Sequence, residues 1–402
     1  MSDQNPEKNE WGDQGYSSWY ARVTGVGSSV GQALIVPALA VLTALLIGAV
    51  IIVLTDVDTL PLWKSDPLEA LRLSWNGVTE AFVALFVGAF GSPRAISETL
   101  FAATPLIFAG LAVAIGFQAG LFNIGVQGQM LIGGMAALWI GFSIDVPAIL
   151  HIPIAIVFAI LGGALWAAIA GFLKARTGAH EVITTIMLNF IALFLVDYLL
   201  KSSLYQAPGR NDPISLPANE SAQFPGLIGD YRLNIGFLIA IIAVAGAWWL
   251  MYRSTIGFEF RAVGFNPDGG RYAGMSVAWV YVSVMAVSGA LAGIGGANQI
   301  LGLEPYRGIS NFAGTIGFDA IALALLGRSN PIGVLWAGLL FGALRAGGRE
   351  MQGAAGIPID LVLVLQALII VMIAAPELVR AIYRIRTPEQ EETSVMSGGW
   401  GG

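Results

Sequence analysis

The chain has 402 residues, of which 56% are hydrophobic and only 11% are charged. Soluble domains carry roughly 25% charged residues, so this composition excludes an ordinary soluble protein and indicates a polytopic membrane protein. The absence of cysteine excludes disulfides and thiolate metal sites, and two histidines are too few for a histidine-based metal site. A net charge of −6 without a long basic run argues against nucleic-acid binding.

Apolar segments follow one another along most of the chain, and about 20 apolar residues are enough to cross a bilayer. We predict an all-α polytopic membrane protein with about ten transmembrane helices. Residues 1–32 and 376–402 are predicted to be polar tails, and residues 33–375 the transmembrane domain. The predicted apolar segments are 33–55, 100–118, 129–144, 148–173, 182–200, 233–252, 275–296, 316–326, 332–344 and 357–375.

One stretch near the N-terminus leaves the count of crossings open. Residues 56–80 are predicted to form a polar loop, and residues 81–90 are apolar but too short to span. The short segment is therefore interfacial, re-entrant or an additional span.

Lysine and arginine near helix ends predict the orientation. Loops 174–181 and 253–274, Arg328 and the basic start of the C-terminal tail fall on one side, which is then cytoplasmic. The N-terminus joins that side only if residues 81–90 do not cross, and on this basis both termini are predicted to be cytoplasmic.

A glycine- and amide-rich break interrupts the apolar sequence at residues 119–129 and contains Asn123, Gln127 and Gln129. Glycine frees the backbone to leave the helix. Backbone groups uncovered in lipid must find partners inside the protein or in a water-filled cavity. The break therefore predicts part of a path for a polar, neutral solute, and the alternative is a tight turn in which the amides cap helix ends.

A second such interval lies at residues 295–315, and interruptions in two halves of a transporter point to a midplane site. Amides both donate and accept hydrogen bonds, so they suit a hydroxyl-rich or base-bearing solute better than an ion. We include Asn189, Asn298 and Asp319 among the candidate path residues. Helix–helix contact is the alternative for Asn189, and helix capping or pairing with arginine is the alternative for Asp319.

The charged segment 253–274 alternates phenylalanines with polar residues. A short amphipathic helix there could dock in a groove of a soluble partner, whereas the alternative is a solvated connecting loop. The chain has no GxxxxGK[ST] phosphate loop, no HExxH motif and no credible Ser-His-Asp set. We therefore predict a transport protein rather than an enzyme.

Four motifs together resemble the permease subunits of ABC importers for nucleosides and simple sugars. The similarity covers roughly residues 95–375 and is to the ribose-type branch whose receptor is a basic-membrane-protein-type lipoprotein. The motifs are FNIGVQGQMLIGG (122–134), EVITTIMLNFIALFL (181–195), FRAVGFNPDGGRYAGM (260–275) and ALLGRSNPIGVLWAGLLFGALRAGG (324–348).

The resemblance implies the all-helical ABC importer permease fold in the plasma (inner) membrane. It implies a second permease subunit, homologous or identical, an ABC ATPase subunit, and a solute-binding lipoprotein outside. It also implies that this chain binds no cofactor, because ATP and Mg²⁺ sit on the partner ATPase.

The resemblance also assigns residues. It implies that Arg261, Gly264, Asn266, Pro267 and Gly274 form the segment that couples to the ATPase. It implies that the region around the first break lines the path. This sequence departs from the family pattern in carrying glutamine at position 127, where an acidic residue is expected, and glycines at positions 269 and 270.

The function predicted is ATP-driven import of a nucleoside, with a purine nucleoside favoured, by alternating access. Alternatives are an ABC permease for a sugar such as ribose or galactose, an ion-coupled secondary transporter, and a membrane enzyme handling lipids or prenyl groups. We expect Arg261 and Asn266 to face a partner, and Asn123 and Gln127 to face a cavity.

Overall fold

A computed structural model describes residues 35, 38–57 and 59–384, and this part of the chain is mainly helical. The α-helices are α1 (Ala38–Thr55), α2 (Leu62–Ser65), α3 (Pro67–Phe90), α4 (Pro93–Gln118), α5 (Val126–Ser143), α6 (Ala148–Thr177), α7 (Glu181–Leu200), α8 (Gly236–Arg253), α9 (Thr255–Phe265), α10 (Pro267–Tyr272), α11 (Val277–Leu301), α12 (Ile316–Leu326), α13 (Pro331–Ala355), α14 (Ile359–Ala374) and α15 (Pro376–Tyr383). Two short strands, β1 (Ile214–Pro217) and β2 (Arg307–Ile309), pair antiparallel.

Eight helices in the described part are long and apolar enough to cross a membrane, and two shorter apolar helices accompany them. The predicted all-α, multi-span class is therefore confirmed. The eight are α1, α3, α4, α6, α7, α8, α11 and α13, and the shorter two are Ile316–Leu326 and Asp360–Met372.

The N-terminal half contains one helix that the sequence prediction missed. Residues 67–90 form the single 24-residue helix α3, so the predicted polar loop is wrong for residues 67–80. Residues 81–90 are the C-terminal part of this candidate span, which agrees with the alternative of an additional crossing. Asp66 caps the helix by accepting a hydrogen bond from the Glu69 amide at 3.2 Å, and Pro67 occupies the first turn, where proline is tolerated. Because α3 is a candidate crossing, alternation of sides no longer supports an N-terminus on the cytoplasmic face.

The described residues form two compact units, whose boundaries fall inside α1 and α14. The larger unit is Ile52–Gln366. The smaller unit joins the chain up to Ile51 to the chain from Ala367, and there Ala40, Met372 and Val379 form a small buried cluster. The predicted C-terminal polar tail therefore begins with the short packed helix α15.

The larger unit is built around α4, whose apolar window is 83% buried inside the protein. Small residues allow its helices to pack closely, as is usual in membranes. On α6 and α11, Gly163 meets Gly289 and Gly293 with no room for a side chain. On α4 and α13, a Cβ at Gly342 would lie 2.5 Å from the Thr99 carbonyl oxygen.

Loop 201–235 covers one end of the larger unit, which we call the far end. Its Asn219 amide donates to the Gly141 carbonyl at 2.8 Å, and its Phe224 amide donates to the Leu301 carbonyl at 2.8 Å. His151 is fully buried beneath it, with Nδ1 2.8 Å from Ser221 Oγ and Nε2 3.1 Å from the Ile140 carbonyl oxygen. The loop and this histidine together seal the far ends of α5, α6 and α11.

Candidate functional site

Four connections meet at the opposite end of the larger unit, and we call them the loop cluster: residues 119–125, 178–180, 254–276 and 327–330. The Gln118 side chain donates to the Tyr252 hydroxyl at 3.2 Å and to the Ser329 carbonyl. Glu181 accepts from Lys174 Nζ at 2.6 Å and from the Phe122 amide at 3.5 Å. Helix ends from four parts of the sequence are thus tied into one surface.

The segment 254–276 contributes two short helices rather than a loop. Helix α9 buries Phe260 and Val263 against the bundle, and it leaves Phe265 94% exposed at its C-terminal end. Helix α10 follows at once, and its last residue, Tyr272, is 95% exposed. The α9–α10 corner therefore exposes two aromatic side chains, while Phe260 and Val263 pack α9 against the bundle.

Backbone contact fixes the corner to the first break. A Cβ at Gly264 would lie 2.5 Å from the Ala119 carbonyl carbon, and one at Gly120 would lie 2.8 Å from the Gly264 carbonyl oxygen. Gly120 also has φ of +68°, which favours glycine. A displacement of α9 toward this contact would therefore displace residues 119–120 as well.

The amides of the first break bond to one another. Asn123 is fully buried, and its Nδ2 donates to Gln129 Oε1 at 3.0 Å and to Ser288 Oγ at 2.7 Å. Its Oδ1 accepts from Gln129 Nε2 at 3.0 Å and from the Gly125 amide at 2.9 Å. The expectation that Asn123 faces a cavity is therefore wrong for this conformation, because its hydrogen-bonding capacity is used within the chain.

Asn189 holds α7 against the start of α5. Its Oδ1 accepts from the Gly128 amide at 2.8 Å, and its Nδ2 donates to the Ile124 carbonyl at 2.9 Å. Asn298, on α11, is 2% exposed, and its Oδ1 has no hydrogen-bond partner among the described residues.

Gln127 joins the two breaks that the sequence analysis singled out. Its Nε2 donates to Asn311 Oδ1 at 3.0 Å and to the Gly314 carbonyl at 2.8 Å, while its Oε1 accepts from the Gly317 amide at 2.9 Å. Gln127 is 5% exposed, so it too faces the chain rather than a cavity here. The non-helical segment 302–315 is satisfied inside the bundle by a side chain, as a membrane interior requires.

Helix α12 begins at this junction and has only 11 residues, a length of about 16 Å at 1.5 Å per residue. Its C-terminal end reaches the loop cluster, so its N-terminal end lies within the bundle. Asp319, in its first turn, accepts from Thr315 Oγ1 at 2.9 Å and pairs with Arg345 of α13. An ion pair and a helix N-terminus therefore stand next to the second break.

Comparison with known proteins decides the family. The family model for the permease component of branched-chain amino acid transport systems matches residues 95–374. The guanosine ABC transporter permease protein NupP of Bacillus subtilis is 39% identical over 350 residues, which cover 87% of this chain and 95% of that protein. The chain belongs to the ABC transporter permease family.

Two further relatives cover nearly as much of the permease. The nucleoside ABC transporter permease protein NupB of Lactococcus lactis subsp. cremoris is 37% identical over 85% of this chain and 90% of its own length. The glucose ABC transporter permease protein TsgB13 of Haloferax volcanii is 35% identical over 87% of this chain and 89% of its own. The resemblance predicted from the four motifs is therefore confirmed.

The structure gives each predicted coupling residue of the permease a definite position on the α9–α10 corner. Gly264 makes the contact with residues 119–120, and the Arg261 guanidinium carbon lies 5.4 Å from the Tyr252 ring centre. Asn266 is exposed and caps α10 through a 2.9 Å hydrogen bond from the Gly269 amide. The other two are the first residue of α10, Pro267, and Gly274, with φ of +84°.

Sequence reasoning noted Phe265 among the alternating phenylalanines of this segment, but it did not identify Phe265 and Tyr272 as the most exposed residues of the corner, because exposure cannot be read from their immediate neighbours. It also missed Arg345 and Gln366, which lie inside apolar helices. A signal for both was present, since a charged or amide residue within a membrane span is a functional candidate by default.

Proposed function

We propose that this permease carries a neutral nucleoside, with a purine nucleoside favoured, inward as part of an ATP-driven importer. The observation that supports coupling to a partner is the α9–α10 corner, where two almost fully exposed aromatic residues end two consecutive helices, the first of which packs an apolar face against the bundle. Aromatic residues of this kind are enriched at the centres of protein interfaces. The relatives named for guanosine and nucleosides support the substrate.

The partners follow from the family. We propose that a partner ATPase binds ATP and Mg²⁺, that this chain binds no cofactor, and that a second permease, homologous or identical, completes the path. A solute-binding lipoprotein delivers the solute from outside. The assembly lies in the plasma (inner) membrane with the loop cluster on the cytoplasmic side, and the cytoplasmic position of both termini stays a prediction.

The coupling mechanism proposed runs through backbone contact. When the ATPase moves the α9–α10 corner, Gly264 moves the Ala119–Gly120 turn with it. That turn continues directly into Asn123, whose buried amide cluster connects α5 to α11 through Ser288. The bundle thus changes between outward and inward access while the amide cluster keeps its shape.

For the path, we propose different roles for the candidate residues. Asn123, Gln129 and Asn189 hold the first break in its fold. Gln127 and Asp319 stand where α12 begins, and we propose that the solute passes on that side. Asn298 contributes a buried acceptor that the described residues leave unused.

A sugar is the second candidate substrate, and one observation favours it: the 35% identity to a permease named for glucose. Hydroxyl groups of a sugar and of a ribose make the same hydrogen bonds to amides. Competition between guanosine and glucose for uptake separates the two.

The experiment that tests the assembly is a gentle-detergent pull-down of the tagged permease from its own host, with identification by mass spectrometry. We expect a phosphate-loop ATPase and a second permease in the eluate. Recovery of the chain alone, stable and monodisperse, would contradict the importer and favour an ion-coupled transporter.

A further inference from the structure

A cavity of about 420 Å³ lies between the start of α12, α13 and α14. Ligand sites for small molecules occupy about 300–1,000 Å³, so the cavity has the size of a small-solute site. The residues that matter for its chemistry are Phe312, Thr315, Arg345, Arg349, Gln352 and Gln366.

Both arginines that line the cavity have a carboxylate partner within the protein. Arg345 pairs with Asp319, and Arg349 Nη1 lies 3.0 Å from Glu98 Oε2, an oxygen that also lies 2.9 Å from Arg232 Nη1. Because Glu98 is shared by two arginines, the positive charge at the cavity is only partly compensated. The lining therefore disfavours a cationic solute and suits a neutral solute that carries hydrogen-bond acceptors.

Gln366 supplies the observation that points to a ligand. Its side chain is 4% exposed, and its Nε2 has no hydrogen-bond partner among the described residues. Buried polar groups in proteins are almost always paired, so an unpaired donor beside a cavity calls for an explanation. An acceptor on a bound solute, such as a base carbonyl, a ring nitrogen or a hydroxyl, would pair with it.

Phe312 adds an apolar surface to the same cavity. Its ring is held against α5, since a Cβ at Gly134 would lie 2.6 Å from the ring. A ring fixed in this way offers a face or an edge to a flat solute. Thr315 lies at the same place, and its hydroxyl keeps acceptor capacity while it donates to Asp319.

We propose that this cavity is the solute site of the permease, and that Gln366 is a specificity-determining donor to a neutral solute carrying a polar ring. This inference rests on the proposed function, and it places the solute beside α14 rather than among the paired amides of the first break.

The absence of cysteine from the chain allows a direct test by single-cysteine labelling. Thr315→Cys and Gln352→Cys place a thiol in the cavity, and Asn211→Cys in the exposed loop 201–235 is the matched control. Each variant is labelled with a small cationic methanethiosulfonate in membranes that hold the whole transporter. We expect saturating guanosine to slow labelling of both cavity variants at least 5-fold and to leave the control unchanged.

The proposal and the proposed function fail in different ways. Equal labelling rates with and without guanosine, in membranes that import guanosine, would overturn the cavity. If guanosine is not imported, the proposed substrate fails, and uridine, ribose and glucose are tested in its place. Protection by one of them supports the cavity for that solute, whereas protection by none of the four overturns it.

A second variant separates ligand binding from structure. Gln366→Leu removes a donor that has no partner among the residues the structure describes, so we expect an unchanged or higher melting temperature. The rate of guanosine uptake at saturating guanosine and receptor should fall at least 10-fold, because the receptor, rather than the permease, sets the concentration for half-saturation. An unchanged uptake rate would overturn the role of Gln366, and a lower melting temperature would show that its role is structural.

Discussion

At the scale of single residues, amide side chains supply hydrogen-bond partners to polar groups inside the permease. Asn123 forms buried hydrogen bonds with Gln129 and Ser288. Gln127 forms three hydrogen bonds, with the Asn311 side chain and with the backbone of Gly314 and Gly317. Each of these groups would be costly to leave unpaired in a medium of low polarity. Amide side chains therefore stabilise the first break, whereas the Nε2 of Gln366 has no hydrogen-bond partner among the described residues.

Replacing Asn123 by alanine should destabilise the folded permease. The change leaves the buried Gln129 side chain without its two Asn123 partners, whereas Ser288 keeps the Ala112 carbonyl, and an unsatisfied buried group costs about 1–3 kcal/mol. Thermal unfolding in detergent should show a lower midpoint for Asn123→Ala and an unchanged one for Asn211→Ala, an exposed amide. Equal midpoints for both variants would contradict the buried amide cluster.

Gln127 allows a sharper test, because the resemblance leads us to expect an acidic residue at this position. A glutamic acid at this position keeps the acceptor for the Gly317 amide, and in its protonated form it also keeps a donor to the Gly314 carbonyl. We therefore expect Gln127→Glu to keep uptake within a few-fold of the natural protein, and Gln127→Leu to lose most of it. Uptake at the level of the natural protein in both variants would show that the junction between the breaks is not needed.

At the scale of elements, we propose that the α9–α10 corner is where the permease meets its partner ATPase. Phe265→Ala with Tyr272→Ala removes the two exposed aromatic side chains without touching a buried one. In the pull-down this variant should lose the ATPase and keep the second permease. The control is Ile228→Ala, an exposed apolar residue of the far-end loop, and equal ATPase recovery in both would contradict the docking surface.

Transmission from the corner has its own test at Gly264. A Cβ there has no room against Ala119, so Gly264→Ala should shift α9 from the first break. We expect the ATPase to remain bound and to hydrolyse ATP, while uptake falls at least 10-fold. The matched change Gly269→Ala, where a Cβ would lie 3.3 Å from its nearest neighbour, should keep uptake. Normal uptake in Gly264→Ala would show that coupling takes another route.

Elements were predictable where apolar runs were uninterrupted. The spans at residues 148–173 and 182–200 correspond to α6 and α7 within a few residues at each end. Helix α3 was not predicted because three charged residues, Glu69, Arg72 and Glu80, interrupt its apolar pattern along the sequence. The contact between Gln127 and residues 311–317 joins positions about 190 residues apart, so no local pattern could reveal it.

At the scale of the whole molecule, the permease combines an aromatic docking corner, a backbone contact into the first break and a junction to the second. The loop cluster would receive the movement of the ATPase, and the cavity beside Gln366 would receive the solute. Both lie in the larger unit, which contains most of the region matched by the family. The chain lacks a GxxxxGK[ST] phosphate loop, and we propose that a partner ATPase supplies the energy.

The most direct test of this account is uptake of radiolabelled guanosine by proteoliposomes that contain the purified transporter with its ATPase and receptor. We expect uptake to require ATP inside the vesicles, to be unaffected by proton or sodium gradients, and to be competed by other nucleosides more strongly than by glucose. Uptake driven by an ion gradient in the absence of ATP would contradict the account.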